Sequence, residues 1–360
     1  MKKLNFFAGP AILPDSVLDQ AAKSIENFDN MGLSLIEISH RSKEFVKVMD
    51  DARQLTKDIL DLNDNYEVLF LQGGASSQFY FVPYNFIRID NSAAYLDTGT
   101  WASNAIKEAR FFGNVNVVGS SKDKNYSYIP KDYSVGKENT YLHLTSNNTI
   151  YGTTIYDYPS VSMPTIVDMS SDIFSRELDY NQFDLIYAGA QKNLGPAGAT
   201  LVIINKDLLN LQKDNVPTMI DYNTHINKAS MFNTPPVFAV YVCYLTLKWI
   251  KENGGLSGME KRNRTKADLL YNEIDRNSLF EGVANKEDRS LMNVTFTLKN
   301  NKLEEDFLKS CADQQILGIK GHRSVGGFRA SIYNAMKLSS VETLVHTMKE
   351  LENKFATVEQ

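Results

Sequence analysis

Lys192 stands where an apolar run meets a tight loop. In Leu185-Ile-Tyr-Ala-Gly-Ala-Gln-Lys-Asn-Leu-Gly-Pro-Ala-Gly198 the lysine follows apolar and small residues and precedes a Gly/Pro turn. Ala199-Thr-Leu-Val-Ile-Ile204 then resumes the apolar run. A lysine in such company is desolvated, and desolvation lowers the pKa of an amine. A free amine attacks a carbonyl to form a Schiff base. Asp168 ends an earlier apolar run, Thr165-Ile-Val-Asp168. A reactive amine and a buried carboxylate together suit pyridoxal 5'-phosphate: the lysine would hold the aldehyde as a Schiff base and carry protons, and the carboxylate would face the pyridinium nitrogen. Ser170 or Ser171 would also cap a helix after Asp168.

Three further segments offer groups for such a ligand. Gln72-Gly-Gly-Ala-Ser-Ser-Gln78 follows a strand pattern and opens a helical one. Gly73 and Gly74 let backbone approach an anion, and Ala75, Ser76 and Ser77 offer N–H groups at the helix start. The segment suits a phosphate cup, or an ordinary turn and helix cap. It lacks the lysine of a P-loop, which argues against nucleotide binding. Trp101, in Asp97-Thr-Gly-Thr-Trp101, would stack on a planar ring or fill the core. Gln191, beside the lysine, is placed to approach a phosphate. Cations gather at His40-Arg41 and in Gly321-His-Arg-Ser-Val-Gly-Gly-Phe-Arg-Ala330, which supplies His322, Arg323 and Arg329. Arginine binds carboxylate and phosphate bidentately, so this set suits a substrate carrying both; ion pairing on the surface is the alternative for any single arginine.

Bulk properties exclude several other classes. A net charge of −5 gives no support to a nucleic-acid partner, so any anion site must be local. No apolar run approaches membrane-spanning length, and the N-terminal residues do not read as a secretory signal. The five histidines show no metal-ligand spacing, which predicts no metal site; His143 and His346 read as structural. The two cysteines, Cys243 and Cys311, fall in helical patterns and read as packing residues, which fits a reducing cytoplasm.

The elements that must position these groups follow from periodicity. From about residue 15 to 250, short apolar runs alternate with amphipathic stretches. The runs include Glu67–Leu71, Ala93–Leu96, Val115–Val118, Tyr141–Leu144, Thr165–Asp168, Leu185–Tyr187 and Thr200–Ile204. Strands alternating with helices predict an α/β domain over 16–254 with a mostly parallel mixed sheet. Ligands in such folds gather at the carboxyl ends of the strands, where the loops above lie. The glycines of Glu252-Asn-Gly-Gly-Leu-Ser-Gly258 end a helix over Tyr241–Lys251. A charged helix over Met259–Ile274, a strand over Met292–Leu298 and helices over Leu303–Gln315 and Val341–Phe355 predict a smaller α+β domain over 255–360, with residues 1–15 packed on it.

Taken together, these segments resemble the phosphoserine aminotransferase family of fold-type I pyridoxal-phosphate enzymes. The matching stretches span nearly the whole chain: Phe7–Pro14, Ser39–Arg41, Gly73–Ser76, Gly99–Trp101, Asn148–Gly152, Asp168–Ser171, Ala188–Asn193, Met231–Pro236 and Gly321–Tyr333. Ala-Gly-Ala-Gln-Lys-Asn and His-Arg-Ser-Val-Gly-Gly-Phe-Arg-Ala-Ser-Ile-Tyr-Asn-Ala are the most specific. The resemblance implies one pyridoxal 5'-phosphate per subunit, Schiff-based to Lys192. Trp101 would stack on its ring, Thr149 would lie near the ring hydroxyl, and Asp168 would face the ring nitrogen. Ala75, Ser76 and Gln191 would hold the phosphate. Asn233 and Thr234 would complete the site of a neighbouring subunit, implying a homodimer. Arg41 and Arg329 would bind substrate anions, with His40, His322 and Arg323 nearby. Two departures stand out: some members carry arginine where this chain has Ser76, and some carry serine where it has Ala8.

The implied reaction is a ping-pong amino transfer between glutamate and 3-phosphohydroxypyruvate, giving O-phosphoserine and 2-oxoglutarate. The resemblance extends to 4-phosphohydroxythreonine, an intermediate of pyridoxine synthesis. Related fold-type I chemistries, alanine–glyoxylate transamination and cysteine desulfuration, are the alternatives. A desulfurase needs a reactive cysteine on a mobile loop, which Cys243 and Cys311 do not suit. Alanine–glyoxylate chemistry needs fewer cations.

Overall fold

The computed structural model describes residues 2–88, 90–323 and 325–356. Its centre is a seven-stranded sheet. In spatial order the strands are Tyr66–Leu71, Thr200–Asn205, Leu185–Gly189, Thr165–Asp168, Asn139–Thr145, Ser92–Asp97 and Asn114–Ser120. Thr200–Asn205 runs antiparallel to both its neighbours, and the remaining pairs are parallel. The expected mostly parallel mixed sheet is therefore present.

Both faces of the sheet are buried, so the strands read as continuous apolar runs. Alternation still sorts the side chains. Val68, Phe70, Ala94, Leu96, Val167, Ile186 and Ala188 pack with Phe45, Met49, Val240 and Leu247, which come from the helices Lys43–Leu60 and Val237–Glu252. Leu69, Leu71, Tyr95, Ile166, Leu185 and Tyr187 pack with Phe79, Val82, Ala105 and Ile106, from the helices Ala75–Phe86 and Thr100–Ala109. Asp168 follows Val167 and so projects to this second face, at the sheet edge where those two helices begin. The parallel strands end at Leu71, Asp97, Thr145, Asp168 and Gly189, all on one edge. The loops beyond them carry Ala75, Trp101, Thr149, Ser170 and Lys192.

A second apolar core lies apart from the sheet. Phe280–Gly282, Asn293–Leu298 and Phe328–Ser331 form a three-stranded antiparallel sheet. It packs with the helices Gly255–Arg276, Glu304–Asp313 and Leu338–Ala356. Phe280, Phe296, Phe307 and Phe328 meet ring to ring, with Phe307 and Phe328 edge-to-face at 4.8 Å. The N-terminus joins this core: Leu4–Asn5 pairs in parallel with Ile316–Leu317, and Phe6 is buried among the same residues.

Three helix starts precede the periodicity, the last helix beginning at Leu338 instead of Val341. The helix Val237–Glu252 starts a turn before Tyr241, directly after Pro235 and Pro236. The charged helix starts at Gly255, inside the glycine cluster expected to be a break. Gly254 and Gly255 make the turn with φ of +92° and +60°, and Gly258 is absorbed into the first helical turn. Glycine disfavours a helix by only about 1 kcal/mol per residue, less than the buried face of the following turns returns.

Candidate active site

Lys192 lies in the loop that reverses the chain between Leu185–Gly189 and Thr200–Asn205. Ala190 closes this loop: its N–H donates to the Ala199 carbonyl at 3.1 Å, and its carbonyl accepts the Gly195 N–H at 2.7 Å. The Lys192 side chain is buried, and its Nζ donates to Thr149 Oγ1 at 2.7 Å. Nζ lies 6.0 Å from the centroid of the Trp101 ring. The N-terminal loop covers the same residues: Gly9 lies against Gln191 and Lys192, and the Ala11 N–H donates to the Gln191 carbonyl at 2.9 Å. Burial pushes the amine down to about 8; Asp168 opposes that shift and Arg329 adds to it.

Asp168 is tied to the same strand. Its Oδ1 accepts the Ser170 N–H at 2.9 Å and the Ser170 hydroxyl at 2.6 Å. The Ser170 oxygen in turn accepts the Gly189 N–H at 3.1 Å. No regular helix follows, so Ser170 and Ser171 cap none: the aspartate itself folds a turn through Ser170. Burial pushes the Asp168 carboxyl up, while Ser170 and Lys192 hold it down. A second buried carboxylate, Asp172, stands one turn further on. Burial pushes it up to about 6 against the pull of Arg176, whose Nη2 is 3.7 Å away. Its spacing from Arg176 was the only trace of it in the sequence, a four-residue acid–base pair.

The expected phosphate cup has the geometry of an anion site. Gly73 and Gly74 adopt φ of +97° and +69°, a left-handed region that side chains resist, and the helix Ala75–Phe86 starts directly after them. Gly74 offers no side-chain cap, so the Ala75 and Ser76 N–H groups are left for a ligand, whereas the Ser77 N–H and hydroxyl, also expected to serve an anion, are spent on the Gly74 carbonyl at 3.1 and 2.8 Å. Asn233 and Thr234 sit beside this loop within the same chain. Gln72 Nε2 donates to the Thr234 carbonyl at 2.6 Å, and Asn233 Nδ2 donates to Gln72 Oε1 at 3.2 Å. Trp101 is half-buried at the start of its helix, and its indole N–H is buried without a hydrogen-bond partner among the described residues. Its loop is held by Thr98 and Thr100, which bond Asn148 and Tyr151 at 3.3 and 3.1 Å, next to Thr149.

The cations divide into two groups. Arg329 is half-buried and donates from Nη1 to the Thr149 carbonyl at 3.3 Å, so it shares a residue with Lys192. Burial pushes its guanidinium down. His322 is half-buried and held down by burial and by Arg329 and Arg323. His40 is half-buried at the turn before Lys43–Leu60. Arg41 and Arg323 are exposed, and neither guanidinium bonds or pairs with a described residue. Ser324, within the glycine-rich run, lies outside the described residues. No cluster of metal-ligating side chains occurs among the described residues.

The residues fit pyridoxal phosphate on three counts. Lys192 is buried with its amine near neutrality, as a carbonyl-binding lysine requires. Asp168 commits one oxygen to Ser170 and leaves the other without a partner among the described residues, available to a cationic ring nitrogen. The helix start at Ala75 offers N–H groups to a dianion.

The comparisons with known proteins agree with that fit. The chain matches the model of the class-V aminotransferases over residues 3–344. It is similar to a phosphoserine aminotransferase of Flavobacterium johnsoniae, 58% identical over 355 residues, covering 98% of this chain and 100% of that protein. It is similar to one from Porphyromonas gingivalis at 53% over 361 residues, covering 98% and 100%. Among solved structures, the phosphoserine aminotransferase of Bacillus circulans subsp. alkalophilus superposes with a TM-score of 0.95 at 44% identity, covering 98% of this chain and 99% of that one. The pyridoxal-phosphate-bound enzyme of Trichomonas vaginalis superposes with a TM-score of 0.92 at 37%, covering 97% and 100%. With a buried lysine and aspartate at one sheet edge and this likeness running from end to end, the chain belongs to the phosphoserine aminotransferases of the class-V aminotransferase family.

Proposed function

We propose that this chain is a pyridoxal-phosphate-dependent phosphoserine aminotransferase, moving an amino group reversibly between glutamate and 3-phosphohydroxypyruvate. The observation that carries the reading is Lys192: a buried amine near neutrality, bonded to Thr149, on the strand tied to Asp168 through Ser170. Pyridoxal phosphate, when bound, supplies the carbonyl that receives the amino group and a ring that stabilises negative charge at the substrate Cα.

The chain's own residues do the rest. Lys192 Nζ accepts the Cα proton and returns it across the site, which a pKa near the working pH favours. Thr149 Oγ1 fixes the direction of that nitrogen. Asp168 would set a negative charge against the ring nitrogen, and Ser170 keeps the carboxylate in place. Trp101 covers one side of the site and excludes water. Ala75, Ser76 and Gln191 would hold the phosphate of the cofactor. Arg329 takes the substrate carboxylate, and Arg41, His40, His322 and Arg323 supply positive charge for the substrate's second anionic group. Residues 16–254 serve as the cofactor domain, with 255–360 and 1–15 as the smaller one; 357–360 lie outside the described residues.

The active form in this reading is a cytoplasmic homodimer, with Asn233 and Thr234 reaching the neighbour's cup. The half-exposed Phe232 on the same loop supports this. Mixing Lys192→Ala with Asn233→Ala subunits tests it: shared sites give mixed dimers whose activity departs from the sum of the two parents, and purely additive behaviour would count against sharing. No helix among the described residues is long and apolar enough to cross a membrane. Burial pushes the Cys311 thiol up to about 12 and Cys243 higher still, so neither suits desulfurase chemistry.

The deciding experiment is the absorbance spectrum of the purified protein with pyridoxal phosphate. A visible band that bleaches with O-phosphoserine, returns with 2-oxoglutarate and ignores serine is expected. Equal bleaching by alanine or cysteine would move the substrate elsewhere. No band at all would remove the cofactor.

A further inference from the structure

Five residues past Asp168 the chain makes a strained turn. Phe174 adopts φ +60°, a left-handed conformation that a bulky L residue resists. Three consecutive carbonyls of this turn each accept a hydrogen bond from a different asparagine. Asn193 Nδ2 donates to Ile173 O at 3.2 Å, Asn334 Nδ2 to Phe174 O at 2.9 Å, and Asn263 Nδ2 to Ser175 O at 2.9 Å. The three come from distant parts of the chain and are all buried. They also bond one another: Asn193 Oδ1 accepts the backbone N–H of Asn334 at 3.1 Å, and Asn334 Oδ1 accepts from Asn263 Nδ2 at 2.7 Å.

The network reaches both domains. Asn193 is the residue after Lys192. Asn334 ends the segment that begins with Arg329. Lys266, on the same helix as Asn263, is fully buried and donates to the Ile332 and Tyr333 carbonyls at 2.8 and 2.6 Å. Tyr333 donates from its hydroxyl to the Ala8 carbonyl at 2.7 Å, in the loop that covers Lys192.

We propose that Asn193, Asn263 and Asn334 are positioning residues: they clamp the Ile173–Ser175 turn and so lock the Lys192 loop, the Asp168 turn and the Arg329 segment into one rigid unit. Buried amide networks specify a single arrangement; in this one every Nδ2 is bonded, while Asn263 Oδ1 is buried without a partner among the described residues. None of the three hydrogen-bonds Lys192, Asp168 or Arg329, and Asn263 is the informative member because its helix, Gly255–Arg276, carries none of those residues. The inference rests on Lys192 being the reactive amine of the proposed reaction.

The test is Asn263→Leu, of similar volume but without the amide. Two readouts are needed. The first is the pH dependence of Lys192 acylation by acetic anhydride in the cofactor-free full chain, followed by mass spectrometry. The charged groups facing Lys192 are Asp168, Asp172 and Arg329, and none is altered. A loosened clamp admits water, relieves the desolvation that holds the amine near 8, and moves the labelling midpoint upward by half a pH unit or more. The second is kcat, expected to fall about tenfold with KM for glutamate little changed. A lower melting temperature with midpoint and kcat both unchanged would overturn the proposal and leave the asparagines as ordinary core bonds. The labelling arm decides even if the wild-type chain transfers no amino group, which would sink the proposed reaction instead. Should Asn263→Leu fail to fold, Asn334→Ala, which keeps its backbone bond to Asn193, is read the same way.

Discussion

Lys192 and Arg329 meet on a single residue. Lys192 Nζ donates to the Thr149 hydroxyl at 2.7 Å, and Arg329 Nη1 donates to the Thr149 carbonyl at 3.3 Å. The first comes from the central sheet and the second from the smaller one, so the amine and the guanidinium share one mount. Their charges interact, and Arg329 makes the amine easier to deprotonate.

Arg329→Leu therefore has two separable effects. Losing a charge-assisted bidentate partner removes roughly 1.5–3 kcal/mol of binding, which raises KM for glutamate and the phosphorylated substrate about ten- to a hundredfold. Losing a positive neighbour raises the pKa of Lys192, which the pH dependence of Lys192 acylation in the cofactor-free chain reports. If KM stays put and only thermal stability moves, Arg329 is a structural residue.

Asp168 acts on Lys192 in the opposite sense, since its negative charge favours the ammonium. Asp168→Asn keeps an oxygen for Ser170 and removes the charge. The Lys192 midpoint should then drop below its wild-type value near 8. Loss of the charge facing the ring nitrogen should lower kcat on the order of a hundredfold or more, with a smaller change in KM. Near-normal kcat would mean that no charge is needed opposite the ring.

Much of this site was legible before the fold was known, and the reason is local. Lys192, Asp168, Trp101 and the Gly73–Gly74 pair each lie just past an apolar run, and in a parallel sheet such positions converge on one edge. What stayed hidden depends on long-range contact. Nothing in the sequence places Asn263 and Asn334 against the 173–175 turn, because each lies on a different element, and the four-residue spacing of Asp172 and Arg176 does not tell a buried pair from an exposed one. Ala8 and Gly9 were matched by motif alone; only the pairing of Leu4–Asn5 with Ile316–Leu317 and the Ala11–Gln191 bond put their loop over Lys192. The start of the helix at Gly255 was missed because tertiary packing overrode a weak local preference.

Lys192 also leaves a mark on stability. Its folded pKa is near 8 against an ordinary 10.5, so between those values the unfolded chain holds a proton that the folded chain has released. Stability then rises with pH across that window, by on the order of 3 kcal/mol in the cofactor-free chain, and the penalty is fully present below pH 8. Denaturant unfolding of wild type and Lys192→Met at pH 7.5, 9 and 10.5 checks this: the wild type should gain on the variant as pH rises. A constant difference would show that the buried amine keeps its proton.

His143 predicts the acid limb. It lies on the sheet face behind Asp168, stacked on Tyr95 at 4.7 Å, with Nε2 bonded to the Tyr187 hydroxyl at 2.8 Å and Nδ1 buried without a partner among the described residues. No charged group contributes to its shift; burial alone pushes it down to about 3. The folded chain thus refuses a proton that the unfolded chain accepts below pH 6.5. Stability falls as pH falls through the window from 6.5 to 3, by up to about 5 kcal/mol from this residue. His143→Gln keeps a side-chain amide near Tyr187 and cannot titrate, so its stability should decline less steeply over that range, even if it starts lower at pH 7. Acid limbs that run parallel in the two proteins would mean that the fold accommodates the imidazolium, which the dry stacking against Tyr95 opposes.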